Sequence, residues 1–222
     1  MPLAFAPRAV CFDMDGLMLD SERALLDCWR ETARVHGAEI DDALWLAMVG
    51  LNEDACRGLL HDALGAATGD ALRTDAEARY AQRVAAGLPL KPGVFAVLDL
   101  LAARGIPRAV VTSTRRDRAL FKLGTAALLP HFSVVVAGGD VARPKPAPDP
   151  YLRAAEHLGI PARHCLVLED SAPGVRAALA AGMTAMQIPD LVLPDADTRA
   201  LGHHVVDSLH DAHALLMAAL DA

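Results

Sequence analysis

The chain has 222 residues, enough for one large domain or for a domain carrying a substantial insertion. Its net charge of −7 and pI near 5.7 argue against a nucleic-acid backbone or an anionic membrane surface as the principal partner. Hydrophobic residues make up 53% and the mean hydropathy is +0.26, but much of this is alanine, and no apolar run approaches the ~20 residues of a membrane span.

Met1 to Arg8 lacks the basic start and long apolar stretch of a secretory signal, so a cytoplasmic protein is expected. The first apolar run, Ala9-Val10-Cys11-Phe12, reads as a buried strand ending at Asp13. From about Ser21 to Gly87 no strand is apparent. The alanine- and leucine-rich stretches there read as helices, with Trp29, Trp45 and Leu46 as candidate core. That segment is too long for an ordinary connection between strands and is expected to be an inserted helical domain. A helical pattern follows over Val94 to Arg104, then a strand at Ala109-Val110-Val111 ending at Thr112. Val134 to Ala137 predicts a strand ending at Gly138-Gly139, Tyr151 to Leu158 a helix, and Leu166-Val167-Leu168 a strand ending at Glu169-Asp170. Val175 to Ala181 predicts a helix, and Ala185 to Ile188 a strand halted by Pro189. A surface loop at Leu191 to Asp197, a last strand near His204-Val205-Val206 and a terminal helix complete the expectation.

Near-continuous apolar strands alternating with helices imply an α/β fold: a doubly wound, Rossmann-like parallel sheet. The expected division is a sheet domain of residues 1–19 and 90–222 and a helical domain of residues 20–89. The four cysteines, Cys11, Cys28, Cys56 and Cys165, form no CxxC pair, so structural zinc is not expected. Cys11 and Cys165 lie in apolar runs and read as buried, reduced thiols.

The C-terminal ends of the strands carry the polar residues, at the edge where open α/β sheets gather ligands. Asp13 and Asp15 follow the first run, Thr112 and Ser113 the second, and Glu169 and Asp170 the fourth. Residues two apart in a strand face the same way, so Asp13 and Asp15 repel unless a cation or a shared proton intervenes. Gly16 would let the chain turn sharply after them. Carboxylates converging on one edge suit Mg2+, a hard cation that prefers oxygen ligands. Such a cation would also let an acidic pocket receive an anionic substrate. Lys145, between Pro144 and Pro146, is a cation on a restricted backbone that could hold a phosphate. Thr112, Ser113 and neighbouring backbone N–H groups could donate to phosphate oxygens.

In this order, Asp13-Met14-Asp15-Gly16, Thr112, Lys145 before Pro146 and Glu169-Asp170 resemble the motifs of the haloacid-dehalogenase-like hydrolases. Arg143-Pro144-Lys145-Pro146-Ala147-Pro148-Asp149 and Leu168 to Val175 look like the subgroup containing β-phosphoglucomutase and many sugar-phosphate phosphatases, whose cap the helical insertion resembles. The resemblance implies a Mg2+-dependent phosphatase of small phosphorylated metabolites. In it Asp13 is the nucleophile that becomes an aspartyl-phosphate, and Asp15 is the general acid and base. Thr112, Ser113 and Lys145 would bind phosphate. Asp13, the carbonyl of Asp15, and Asp170 would bind the metal, with Glu169 a ligand or a neighbour of one. Gly50, Leu51, Asn52 and Ser21 are candidates to approach the substrate from the cap.

The nearest rival is a phosphosugar mutase. β-Phosphoglucomutases carry a cap-hinge histidine where this sequence has Leu25, which favours hydrolysis. A dehalogenase lacks an acid at the position of Asp15, and a phosphonate-cleaving enzyme needs a cap lysine, whereas Ser21 to Gly87 contains none. A catalytically inactive binding protein on the same fold would be expected to have lost Asp13 or Asp170. No feature demands an oligomer, so a monomer is expected.

Overall fold

The computed structural model describes residues 3–48 and 53–222. In chain order the elements are β1 (Ala9–Phe12), then the helices α1 (Ser21–Val35), α2 (Asp42–Met48), α3 (Glu53–Leu64), α4 (Ala66–Ala86) and α5 (Val94–Ala103). There follow β2 (Arg108–Arg115), α6 (Arg116–Thr125), β3 (Val134–Gly138), α7 (Asp149–Leu158), β4 (Cys165–Glu169) and α8 (Ala172–Ala180). The chain finishes with β5 (Thr184–Gln187), α9 (Ala196–Arg199), β6 (His204–Val205) and α10 (Leu209–Leu220).

The six strands form one sheet in the order β3-β2-β1-β4-β5-β6, and every pairing is parallel. Alternation along the strands sorts their side chains onto two buried faces. Val10, Phe12, Val110, Leu166 and Leu168 pack with Val97, Leu98 and Leu101 of α5 and with Leu209 and Leu216 of α10. Ala9, Cys11, Val111, Cys165 and Val167 pack on the other side with Tyr151 and Ala154 of α7 and Val175 and Ala178 of α8. Helices on both faces explain why these strands read as unbroken apolar runs. The connections leave β1 towards β2 on one side, while β4 lies on the other, so the strand order reverses between β1 and β4. In an open α/β sheet that reversal opens a crevice beyond the strands' carboxyl ends.

Helices α1 to α4 build a separate cluster in which Trp29, Trp45, Leu60, Leu72 and Ala76 are buried, with the two indole rings 5.4 Å apart. The chain enters and leaves these helices side by side. Leu19 bridges Leu90 in antiparallel fashion, Asp20 N donates to Pro89 O at 2.9 Å, and Lys91 N donates to Met18 O at 2.9 Å. Ala24 and Val84, near the two ends of the helical segment, pack into the sheet's core.

Two differences from the sequence expectation matter for the site. Strand β2 continues past Val111 to Arg115, and α6 starts at the next residue, where no helix was drawn. The charged run Arg115-Arg116-Asp117-Arg118 hides the buried face of α6, formed by Ala119, Lys122 and Leu123. The short helix α9 also begins inside the expected Leu191–Asp197 loop. Among the described residues no cysteine forms a disulfide, and Cys11, Cys28 and Cys165 are buried. Among the described residues no helix is long and apolar enough to cross a membrane.

Candidate active site

Asp13 leaves β1 at its carboxyl end, its backbone N–H donating to Leu168 O of β4 at 3.0 Å, so the first carboxylate is fixed beside the neighbouring strand. Its side chain accepts from Lys145 Nζ at 2.6 Å. The same ammonium donates to Glu169 Oε1 at 2.6 Å and to Val111 O at 2.8 Å, which uses all three of its protons. Lys145 thus ties together the ends of β1, β2 and β4. Burial alone would lower this ammonium, but Asp13 and Glu169 outweigh it and raise its pKa, so it is charged.

Glu169 is fully buried and turned inward. Oε1 also accepts from the Tyr151 hydroxyl at 3.0 Å, and Oε2 accepts from Ser171 N at 2.9 Å and Ser171 Oγ at 2.8 Å. Gly174, in the first turn of α8, leaves room for it: a Cβ there would collide with the Glu169 carboxylate. Burial would raise Glu169, yet Lys145 and the Ser171 donors hold it below the usual carboxylate range.

Asp170 is placed differently. Gln187 Nε2 donates to its backbone carbonyl at 2.9 Å, while its carboxylate has no hydrogen bond or ion pair among the described residues. That carboxylate rests on Gly16, whose φ of +82° makes the turn after Asp15 and where any Cβ would strike Asp170 Oδ2. Burial and then the charges of Glu169 and Asp13 push Asp170 well up. Asp13 is likewise raised, to about 7, by burial and by Glu169, against the opposing pull of Lys145. Two carboxylates destabilised as anions at the strand reversal, Asp13 buried and Asp170 partly exposed, suit a divalent cation, whose charge would offset both effects.

The carboxylate of Asp15 is committed elsewhere. Oδ1 accepts from Lys122 Nζ at 2.7 Å and Oδ2 from Thr114 Oγ1 at 2.7 Å. Burial would raise it, but Lys122 and Thr114 outweigh that and keep it low. Ser21, the buried first residue of α1, has no hydrogen-bond partner for its hydroxyl but lies close enough to favour the Asp15 anion. Thr112 is buried, and its hydroxyl accepts from Thr114 N at 3.1 Å. Ser113, between them, is exposed.

The fold therefore brings Asp13, Lys145, Glu169 and Asp170 to one edge, with Thr112, Asp15 and Ser21 adjoining it. It does not bring all four acids around one point. Among the described residues no group of three or more His, Cys, Asp or Glu side chains is arranged to hold a metal. Tyr151 and Ser171 draw Glu169 inward, and Lys122 and Thr114 occupy Asp15, which leaves the carboxylates of Asp13 and Asp170 and the backbone of Asp15 as oxygen donors. Gly50, Leu51 and Asn52 lie outside the described residues. Arg23, near the start of α1, pairs with Asp190 at 2.8 Å and Asp20 at 3.2 Å.

Three residues of this region had escaped the sequence reading. Asp190 follows the Pro189 that ends β5, so the strand-end rule that located Asp13 could have found it. It is 1% exposed, accepts from Lys91 Nζ at 2.6 Å, and keeps Oδ2 unpartnered near Gly16. Tyr151 and Lys122 gave no local signal, because their partners are distant in sequence.

A family model described as haloacid dehalogenase-like hydrolase matches residues 7–182. The chain is 30% identical to a phosphorylated carbohydrates phosphatase of Thermotoga maritima over 213 residues, covering 95% of this chain and 90% of the relative. It is 35% identical to hexitol phosphatase A of Escherichia coli, covering 77% and 78%. The structure is similar to that of CbbY from Rhodobacter sphaeroides in complex with phosphate, with a TM-score of 0.74, 26% identity, and coverage of 97% of this chain and 100% of that one.

Proposed function

The chain belongs to the haloacid dehalogenase-like hydrolases, and on that premise we propose that it hydrolyses phosphate monoesters of small metabolites, sugar phosphates foremost, through a phosphorylated Asp13. The observation that carries the reading is Asp13 itself. It is a carboxylate at the end of the central strand, in contact with a buried, charged lysine at 2.6 Å and facing an otherwise unpartnered Asp170 across the strand reversal. Relatives named as phosphatases of phosphorylated carbohydrates and of hexitol phosphates support the substrate class.

Asp13 attacks phosphorus, and the bond from phosphorus to the ester oxygen breaks as the new one forms. Asp15, held as an anion by Lys122 and Thr114 before substrate binds, takes up a proton as the ester is bound, gives it to the departing oxygen and later takes one from the water that releases phosphate. Lys145, already bound to Asp13, meets a phosphoryl oxygen and limits its repulsion with the nucleophile. The hydroxyls of Thr112 and Ser113 and the backbone N–H groups beside them would donate to the remaining phosphoryl oxygens. Asp13, the carbonyl of Asp15, and Asp170 would hold Mg2+, which when bound supplies positive charge to the phosphoryl group and relieves the two raised carboxylates. Helices α1 to α4, joined to the sheet by the paired Leu19 and Leu90 crossings, act as a cap that excludes water from the first step.

Hydrolysis is preferred to isomerisation because Leu25, where mutases carry histidine, packs against the core of the helical cluster. The test is release of inorganic phosphate from a panel of sugar, polyol and carboxylic-acid phosphates, with Asp13→Asn as the control. Turnover of at least one ester that vanishes in the variant is expected; turnover that survives in Asp13→Asn would overturn the reading.

A further inference from the structure

Lys122 occupies an unusual place for a lysine on a helix. It is 8% exposed and lies on the buried face of α6 beside Ala119 and Leu123. A buried ammonium is costly unless it is paired and hydrogen-bonded. Here Nζ donates to Asp15 Oδ1 at 2.7 Å and stands 5.2 Å above the ring of Tyr80, which α4 contributes from the helical cluster. Thr114, just before α6, holds the other oxygen of the same carboxylate at 2.7 Å. Both oxygens of Asp15 are thus fixed from the β2–α6 corner, and the lysine that fixes one of them is itself covered by the helical segment. Gly16, the residue after Asp15, is in a left-handed turn, so the backbone alone does not dictate where this side chain lies.

We propose that Lys122 is a positioning residue for Asp15: through its ion pair, and beneath Tyr80, it sets where the acid–base carboxylate stands relative to the leaving oxygen. This rests on the reading of Asp15 as the group that protonates the departing alcohol. It predicts that Lys122 acts on the chemistry only through Asp15, without touching the phosphoryl group. Such a role has a signature that a general structural role lacks. Protonation of the leaving oxygen matters most when that oxygen is strongly basic and little when it departs readily as an anion.

The experiment compares wild type, Lys122→Met and Asp15→Asn on p-nitrophenyl phosphate and on phenyl phosphate, whose leaving oxygen is the more basic. Lys122→Met should lower kcat on phenyl phosphate by about tenfold or more. On p-nitrophenyl phosphate the loss should be much smaller, with KM near the wild-type value on both esters. Asp15→Asn should show the same tilt more steeply. Lys122→Arg, which keeps the cation, should recover part of the phenyl phosphate rate. The double variant Lys122→Met/Asp15→Asn should be no slower than Asp15→Asn alone, since the two groups act as a unit. Equal losses on the two esters, or losses that multiply in the double variant, would overturn the proposal. Should Lys122→Met not fold, Thr114→Val removes the other hydrogen bond to Asp15 and must show the same tilt; a flat response there is equally fatal. Failure of the phosphatase reading looks different: Asp13→Asn would then turn over both esters, whatever Lys122 does.

Discussion

At the residue scale the site is a distribution of two lysines among four carboxylates. Lys145 serves Asp13 and Glu169, Lys122 serves Asp15, and Asp170 has neither. This division separates the roles available to each acid. Glu169, with donors on both oxygens, is a fixed structural anion that holds Lys145 in place. Asp170, pressed against Gly16 without a donor, is the carboxylate that the proposed function gives to a cation. Gly16 is therefore a sensitive position although it carries no functional group. Its φ of +82° already strains any other residue, and a Cβ would drive the Asp170 carboxylate aside. Gly16→Ala should lower kcat/KM by about a hundredfold, as displacement of a catalytic group by an ångström can do. The backbone strain itself should cost only about 1–2 kcal/mol, so the protein should remain folded by circular dichroism. An alanine variant with near-normal kinetics would show that Asp170 is not held there.

At the element scale, the ends of strands carried most of what could be read from sequence. The run Ala9 to Phe12 is apolar because helices cover both faces, and Asp13, itself buried, follows it where the strand reaches the crevice. Lys145 stood out because prolines flank it. What could not be read has one cause: burial decided by an element far along the chain. Lys122 looks like a solvated helix lysine until Tyr80 of α4 covers it, and α6 itself was hidden by its own arginines. Glu169 reads from sequence as a ligand or a neighbour of one, and the sequence does not show that Tyr151 and Ser171 donate to its oxygens. The helical cluster was legible as a break in the strand–helix alternation, and its tryptophans as core, but its packing was not. Leu72 is fully buried there between α1 and α3 contacts. Leu72→Ala should destabilise the protein by about 2–5 kcal/mol through lost burial and an unfilled cavity, read as a lower denaturant midpoint. A shift below about 0.5 kcal/mol, the range of ordinary surface substitutions, would mean that this cluster is not a packed core.

At the scale of the whole molecule, a net charge of −7 surrounds a crevice meant for an anion. The strand reversal between β1 and β4 concentrates this conflict, because it collects acids from both strands at one edge. Lys145 neutralises part of it, and the raised Asp13 and Asp170 mark what remains. On the proposed function a divalent cation would complete the balance, so phosphate release should cease in excess EDTA and return with added Mg2+; full turnover after exhaustive chelation would rule the cation out. The account as a whole stands on covalent attack by the carboxylate at the end of β1. Acid quenching of the enzyme during turnover, followed by peptide mass mapping, tests this directly. A phosphoryl group on the peptide containing Asp13, absent from Asp13→Asn, is the result predicted; a phosphoryl group trapped on any other residue would contradict it.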